Sequence, residues 1–422
     1  MKVLALSNLY PPDFIGGYEL ACAHVVDGLR ERGHDARVLT AAPRNPVGTP
    51  PAHVLRRFKL IDEWNPNAMG NQYLSYRLDE AESRLVSAYN IHVLTSTLEE
   101  FEPDVIYICN NLGLGGLGIM ACLEFLKVPW VWQLGDCAPL LLCSTGLDTF
   151  RALAEEFSRR MLGDFICVSE QLRNEIESTG IRLSGRVHML PYWITAPPSA
   201  PRSRLYHGGH LKIMFAGQIA RFKGVDVVIE AAALLRDRGY TDFSIDLYGN
   251  LYDPSLIRLI RERDLVDHVK HNGILPQPEL MERYKDYDLF AFPTLEREPF
   301  GMVPIEALAR GCVPVISRRC GVSEWVVHGL HCLKSARTPE AFADTFASVI
   351  RGEVDLQSIA RRGAAAALRD FHIDTILPRI ESILENASRR PRNGAGGYED
   401  AYRLARMAEQ VAGALIQEAI PA

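Results

Sequence analysis

No unbroken apolar run in the 422 residues approaches the roughly 20 that a membrane-spanning helix needs, so a helical span is not expected. The N-terminal stretch MKVLALSNLYPPDF is apolar too briefly, and broken too soon by Pro11-Pro12, to read as a secretory signal. Positive charge is not in surplus. The formal net charge is −6, which leaves no general electrostatic footprint for nucleic acid. Local basic clusters such as HVLRRFKL and RRPR then read as solvated faces. Cysteine is present without arrangement: the nine residues show no CxxC and no Cys/His spacing suited to zinc. Cys109, Cys167 and Cys312 lie in apolar runs and read as small buried hydrophobes. These absences fit a reducing cytoplasm, with peripheral membrane contact left open.

What is present is an ordinary globular composition, 47% hydrophobic and 23% charged, in a chain too long for one core. Two domains are therefore expected. The first half alternates strand-like runs (KVLALS, ARVLT, DVIYIC, PWVWQL, DFICVS, RVHML) with helix-like stretches. GYELACAHVVDGLRERGH places Ala21, Val25 and Leu29 on one face and Gly33 as a C-terminal stop. Strands alternating with helices predict a parallel sheet covered on both faces. From Pro191 to His210 four prolines and a glycine pair break the rhythm, which marks an interdomain linker. A second series follows: KIMFAG, FSIDLYG, VKHNG, DLFAFP and CVPVIS, ending near Ala387. The expected boundaries are 1–190, 191–210, 211–387 and 388–422. The last is a flexible linker and one helix, with Leu404, Met407, Val411 and Leu415 in an apolar stripe that docks on the body or on a second copy. Two doubly wound α/β domains, with a ligand cleft at the carboxyl ends of their strands, are the predicted fold.

The chemistry concentrates in LEREPFGMVPIEALARG, Leu295 to Gly311. Glu298 and Glu306 stand eight positions apart on a connection between two apolar runs. Pro304 suits the first turn of a helix. The N–H groups of Phe300, Gly301 and Met302 then lie at a helix start, which binds anions, above all phosphate. Gly301 lets a ligand approach the backbone. Carboxylates on either side accept hydroxyls. Phosphate-binding amides flanked by hydroxyl-binding acids are what a sugar nucleotide demands. A plain loop acid at 298 and a dipole-favouring acid at 306 are the bland alternative. Gly16-Gly17, after the first strand, presents amides at another helix start. Arg221 and Lys223 stand before Gly224 at a third strand-to-helix turn.

These three segments, PTLEREPFGMVPIEALARGCVPVIS, FAGQIARFKGVDVVIEAA and PPDFIGGYELACAHVVDGLRERGHDARVLT, resemble the signature regions of family 4 retaining glycosyltransferases of the GT-B fold. The similarity runs from the first strand to about residue 387. It implies two Rossmann-like domains facing a central cleft. It also implies transfer of a sugar from a nucleoside-diphosphate sugar, with uridine the commonest base, to a hydroxyl acceptor, small or lipid-linked, with retention. By this resemblance Glu298 holds donor-sugar hydroxyls and Glu306 the ribose. The amides of Phe300, Gly301 and Met302 meet sugar and diphosphate, Lys223 neutralises the leaving group, and Gly16-Gly17 covers it. No metal or other cofactor is implied, and the Asp286–Asp288 pair reads as a cap and a strand-edge acid.

Three departures stand out. Gln218 occupies the place of an arginine in the family's G-R-x-x-x-x-K-G-like loop, Gly135 replaces the histidine before Asp136, and Tyr192-Trp193 replaces an Asn-Gly. The first leaves a charge deficit. Two helix starts supply about +0.5 each and Lys223 one more, against about −3 on a departing nucleoside diphosphate. Arg221 is expected to supply the missing cation. Gly115, Gly116, Asp136 and Trp193 are expected on the acceptor side. One rival reading uses Gly113, Gly115 and Gly118, a literal G-x-G-x-x-G after a strand, with Asp136 18 positions on: an NAD-dependent oxidoreductase. A sugar-nucleotide epimerase or hydrolase, and a non-catalytic binding protein, share the fold.

Overall fold

The computed structural model describes residues 1–14, 17–42, 51–61, 86–139, 159, 161–195, 206, 208–294 and 297–390. The chain forms two compact units. One comprises Met1–Cys167, Leu172–Leu190 and the chain from Leu377 on; the other comprises Val168–Gln171 and Pro191–Ile376. The C-terminal apolar stripe falls wholly outside the described residues.

The first unit holds a seven-stranded, all-parallel sheet in the order β3-β2-β1-β4-β5-β6-β7. Its strands are β1 Lys2–Ser7, β2 Asp35–Ala41, β3 Val54–Phe58, β4 Val105–Asn110, β5 Trp130–Leu134, β6 Asp164–Cys167 and β7 Val187–Met189. Near-continuous burial along β1, β4 and β5 explains their unbroken apolar sequences, since helices cover both faces. The helices are α1 Gly17–Glu31, α2 Ala88–Phe101, α3 Gly116–Leu126 and α4 Glu170–Ser178. Gly33 closes α1 at φ +89°, as its position predicts.

One strand of this sheet departs from expectation. HVLRRFKL is not a solvated basic face, because it contains β3, the edge strand of this sheet. Val54 and Phe58 are buried, while Arg56 pairs with Asp13 at 3.3 Å and Arg57 with Glu100 at 2.7 Å. Three basic side chains hid a strand whose alternate residues still reach the core.

The second unit repeats the plan with six parallel strands in the order β10-β9-β8-β11-β12-β13. They are β8 Leu211–Ala216, β9 Phe243–Tyr248, β10 Val269–His271, β11 Leu289–Phe292, β12 Val313–Ser317 and β13 Leu333–Ser335. The helices are α5 Val225–Asp237, α6 Ser255–Glu262, α7 Gln277–Arg283, α8 Met302–Ala309, α9 Pro339–Ile350, α10 Leu356–Asp370 and α11 Ile373–Ser388. Phe215, Val228, Ile245, Leu289, Val315 and Phe346 belong to its core. From Leu377 on, α11 counts with the first unit, where Leu377, Ile380 and Leu384 are buried. Gly28 of α1 leaves the room: an added Cβ would lie 2.4 Å from a Leu377 methyl.

In each sheet the strand order reverses once, between β1 and β4 and between β8 and β11. Ligands of doubly wound sheets bind at that switch, beyond the carboxyl ends of the strands. No helix among the described residues is long and apolar enough to cross a membrane.

Candidate functional site

The loops leaving β8 and β11 carry the predicted residues of the second unit. After β8 the chain passes Gly217, at φ +146°, and Gln218, then makes a 3-10 turn over Arg221–Lys223 that ends at Gly224. Gly224 is required twice over. Its φ is +75°, and a Cβ would stand 2.9 Å from the Pro293 ring that follows β11. That contact brings the two loops together.

Lys223 Nζ lies 2.7 Å from Glu298 Oε2, with the side chains 27% and 15% exposed. A cation from one loop and an acid from the other therefore form one half-buried ion pair at the switch point. Arg221 is placed differently. It is 53% exposed, with its guanidinium 3.3 Å from Asp253, 3.6 Å from Asp226 and 3.4 Å from Ser255 Oγ. Asp253 is held below the usual carboxylate range, first by hydrogen bonds from Ser255 and also by Arg221.

Gly301, at φ +95°, opens α8 without any side-chain cap, so the first-turn N–H groups point out of the helix uncovered by its own residues. A Cβ there would strike the Phe292 ring at 2.9 Å. The Phe300 side chain is buried against Tyr192 (5.9 Å between centroids) and Phe371 (6.4 Å), so it anchors the loop while its backbone is left for other work. Glu298 O accepts from Gly321 N at 2.9 Å and Phe300 O from Val322 N at 2.7 Å. Because the peptide group is planar and trans, fixing the Phe300 carbonyl fixes the direction of the Gly301 N–H.

Glu306, within α8, is buried. Gln277 Nε2 donates to it at 3.2 Å and Tyr284 OH at 3.3 Å. Burial raises its pKa, and the two hydrogen bonds act against that rise. Burial and the neighbouring Glu306 raise Tyr284 in turn. Gln277 and Tyr284 were not singled out from the sequence, since nothing in PQPELMERYKDY marks them as partners of an acid some 20 to 30 residues on. Each Glu306 oxygen keeps an accepting lone pair beyond its one protein partner.

Asp286 binds Arg283 at 3.1 Å, and Asp288 accepts the N–H groups of Tyr206 and Lys212 at 3.1 and 3.0 Å, so the two acids do separate structural work. Trp193 is 2% exposed and packs edge-on against Tyr192, a core position.

In the first unit, Gly17 is the exposed first residue of α1; Gly16 lies outside the described residues. Gly115, at φ +74°, is the cap of α3, and Gly116 begins it. Asp136 Oδ1 accepts from Cys137 N at 2.7 Å. The G-x-G-x-x-G pattern follows β4 rather than β1. Its first glycine, at φ +76°, is explained by packing: a Cβ would meet Leu60 at 2.7 Å and the Ile61 carbonyl at 3.1 Å. Among the described residues His34, Glu381 and Glu385 bring ligand atoms within 4.8 Å of one another. Glu381 already pairs with Arg32 at 2.6 Å and His34 at 2.5 Å, which makes the group an ion-pair network.

Residues 16–193 match the family described as glycosyl transferase 4-like domain, and residues 201–366 match glycosyl transferases group 1. A D-inositol 3-phosphate glycosyltransferase of Arthrobacter sp. (strain FB24) is 35% identical over 143 residues, 32% of this chain and 34% of that protein. A second protein so named, from Pseudarthrobacter chlorophenolicus, is 31% identical over 41% of this chain and 42% of its own length. The chain thus spans well under half the length of these relatives. A glycogen synthase of Mycobacterium tuberculosis (strain ATCC 25618 / H37Rv) is 25% identical over 412 residues, 93% of this chain and 96% of that protein. Among solved structures, sucrose-phosphate synthase from Thermosynechococcus elongatus superposes with TM-score 0.67 at 15% identity, over 92% of this chain and 99% of that one. Anabaena HepE in complex with UDP gives 0.64 at 19% identity, over 92% and 100%. The fold is GT-B.

Proposed function

Because the chain belongs to the glycosyltransferases of group 1, we propose that it moves a sugar from a nucleoside-diphosphate sugar, with a uridine donor, to a hydroxyl acceptor with retention of configuration. The observation that carries this reading is the Lys223–Glu298 pair at 2.7 Å beside the uncapped start of α8. A lysine, an acid and first-turn amides at one switch point match the three parts of the donor: diphosphate, sugar hydroxyls and the phosphate nearest the sugar.

The pair also suggests how binding proceeds. The incoming diphosphate takes Lys223 from Glu298, and the released carboxylate turns to the sugar hydroxyls. Glu306, steadied by Gln277 and Tyr284, offers its remaining lone pairs to the ribose. In the reaction the bond from the anomeric carbon to the diphosphate oxygen breaks, and the acceptor oxygen bonds to the same face. The acceptor proton passes to the departing oxygen, so the charge shed is met by Lys223 and the α8 amides. Arg221 joins them only by leaving Asp253 and Asp226, which makes its share smaller. No enzymic nucleophile is required. Cys320, whose thiol also feels the Glu298 charge, is pushed up to about 12 first by burial and stays protonated. No metal is invoked in this reading: Lys223, the amide dipoles and a smaller share from Arg221 meet the charge. The acceptor is a small or lipid-linked alcohol.

The test is product analysis with a panel of nucleotide sugars and hydroxyl acceptors. Nucleoside diphosphate should appear only when an acceptor is present, with the new linkage of the same anomeric form as the donor. Tight NADH binding without nucleotide-sugar binding would reverse the reading in favour of an oxidoreductase.

A further inference from the structure

Three consecutive carbonyls, those of Glu298, Pro299 and Phe300, are each held by a hydrogen bond. Gly321 and Val322 take the first and third. The middle one, Pro299 O, accepts from Ser169 Oγ at 2.7 Å, although 130 residues separate them. Ser169 is itself fully buried and held on either side. Val168 O accepts from Trp325 Nε1 at 2.7 Å, and the Glu324 carboxylate takes the N–H groups of Glu170 and Gln171 at 2.6 and 2.8 Å. Glu324 and Trp325 continue the turn that supplies Gly321 and Val322. That turn packs so closely on the loop that a Cβ at Gly321 would stand 1.8 Å from Pro299 O.

We infer that Ser169 and Glu324 are positioning residues that aim the donor-binding amides, with Val168–Gln171 acting as a clasp on the loop. The physical link is the peptide plane. The Pro299 carbonyl and the Phe300 N–H share one planar trans unit and point in opposite directions, so the Ser169 bond sets where the Phe300 N–H is aimed. The Val322 bond does the same for Gly301. An anion-binding start works only with its donors converged, and a small misplacement of such donors is costly. Glu324 keeps Ser169 in place: its two oxygens each accept one N–H, and a glutamine would set an NH2 group against one of them.

The inference rests on the donor site proposed above, and its test separates the two. Ser169→Ala, Ser169→Thr and Glu324→Gln are made in the full chain. UDP affinity is read by calorimetry, amide hydrogen exchange at Gly321 and Val322 in the free protein, and folding by thermal melting. Ser169→Ala and Glu324→Gln should weaken UDP binding about tenfold and speed exchange at those two amides about tenfold. Exchange in the strands β8 and β9 should stay unchanged, and Ser169→Thr, which keeps the hydroxyl, should restore both readings. Variants that bind UDP and exchange like the wild type overturn the clasp alone. A wild type that binds no UDP overturns the donor reading. Exchange accelerated throughout the second unit would reduce both residues to general structural supports and overturn the positioning role.

Discussion

Lys223 and Glu298 each hold a charge that the other neutralises, and the donor reading gives both a second partner. On the donor reading, removing either strips one contact from the reaction, while the partner left behind stays partly exposed to water. Lys223→Ala and Glu298→Gln should each lower turnover by two to three decades, roughly 3–4 kcal/mol, with melting little changed. Steady-state kinetics beside a melting curve checks this. Arg221→Ala should cost about tenfold, since Asp253 and Asp226 already share its charge. Glu306 answers to pH instead. Its folded-state pKa is raised above the ordinary 4.5, so the native state binds more protons than the unfolded one in the window just above that value. Stability is therefore fully present below about 4.5 and declines as pH rises through the raised value. Glu306→Gln has no such window. Chemical denaturation at stepped pH should show the variant gaining on the wild type as pH rises, and the two running parallel would refute it. At this scale the sequence marked the acids and the lysine through their spacing. It could not mark Gln277, Tyr284 or Ser169, because each reaches its partner across the fold and no local pattern encodes that meeting.

At the scale of elements, α8 and the loops before it decide the site. Gly301 combines a left-handed backbone with a ring 2.9 Å from where a Cβ would sit. Gly301→Ala should destabilise the second unit by about 1–3 kcal/mol and turn the α8 amides away. Both a lowered melting point and lost UDP binding are expected, and unchanged binding would count against the α8 start as the anion site. The apolar strands were readable because parallel strands buried on both faces need little else than Val, Ile, Leu and Phe. β3 was not, because an edge strand has only half its residues facing the core: Arg57 and Lys59 face outward, and Arg56, on the inner side, is held by Asp13 and the carbonyls of Tyr10 and Pro11. The glycine pattern at 113–118 offered its rival reading for a related reason. Its first glycine answers the close approach of Leu60 and Ile61, a packing demand with the same signature as a phosphate loop.

Over the whole molecule, the tandem sheets and their switch points were legible in the alternation of strand and helix, while the destination of the last helix was not. The expected second domain ran to Ala387, yet α11 counts with the first unit from Leu377 onward. Apolar periodicity says that a helix has a buried face and is silent on which core receives it. The tie is electrostatic as well as apolar. Arg390 pairs with Asp164, which is 1% exposed, and His188 lies 3.4 Å from the same acid. Arg390→Ala should cost about 1–3 kcal/mol in that unit, read by denaturant unfolding. This arrangement also sets an order of events on the ribosome. Most of the first unit emerges early, but the residues that cover Gly28 and pair with Asp164 are translated only after the whole second unit. A fragment ending at residue 190 should therefore unfold without a sharp transition, and supplying the missing helix as a separate peptide should sharpen it.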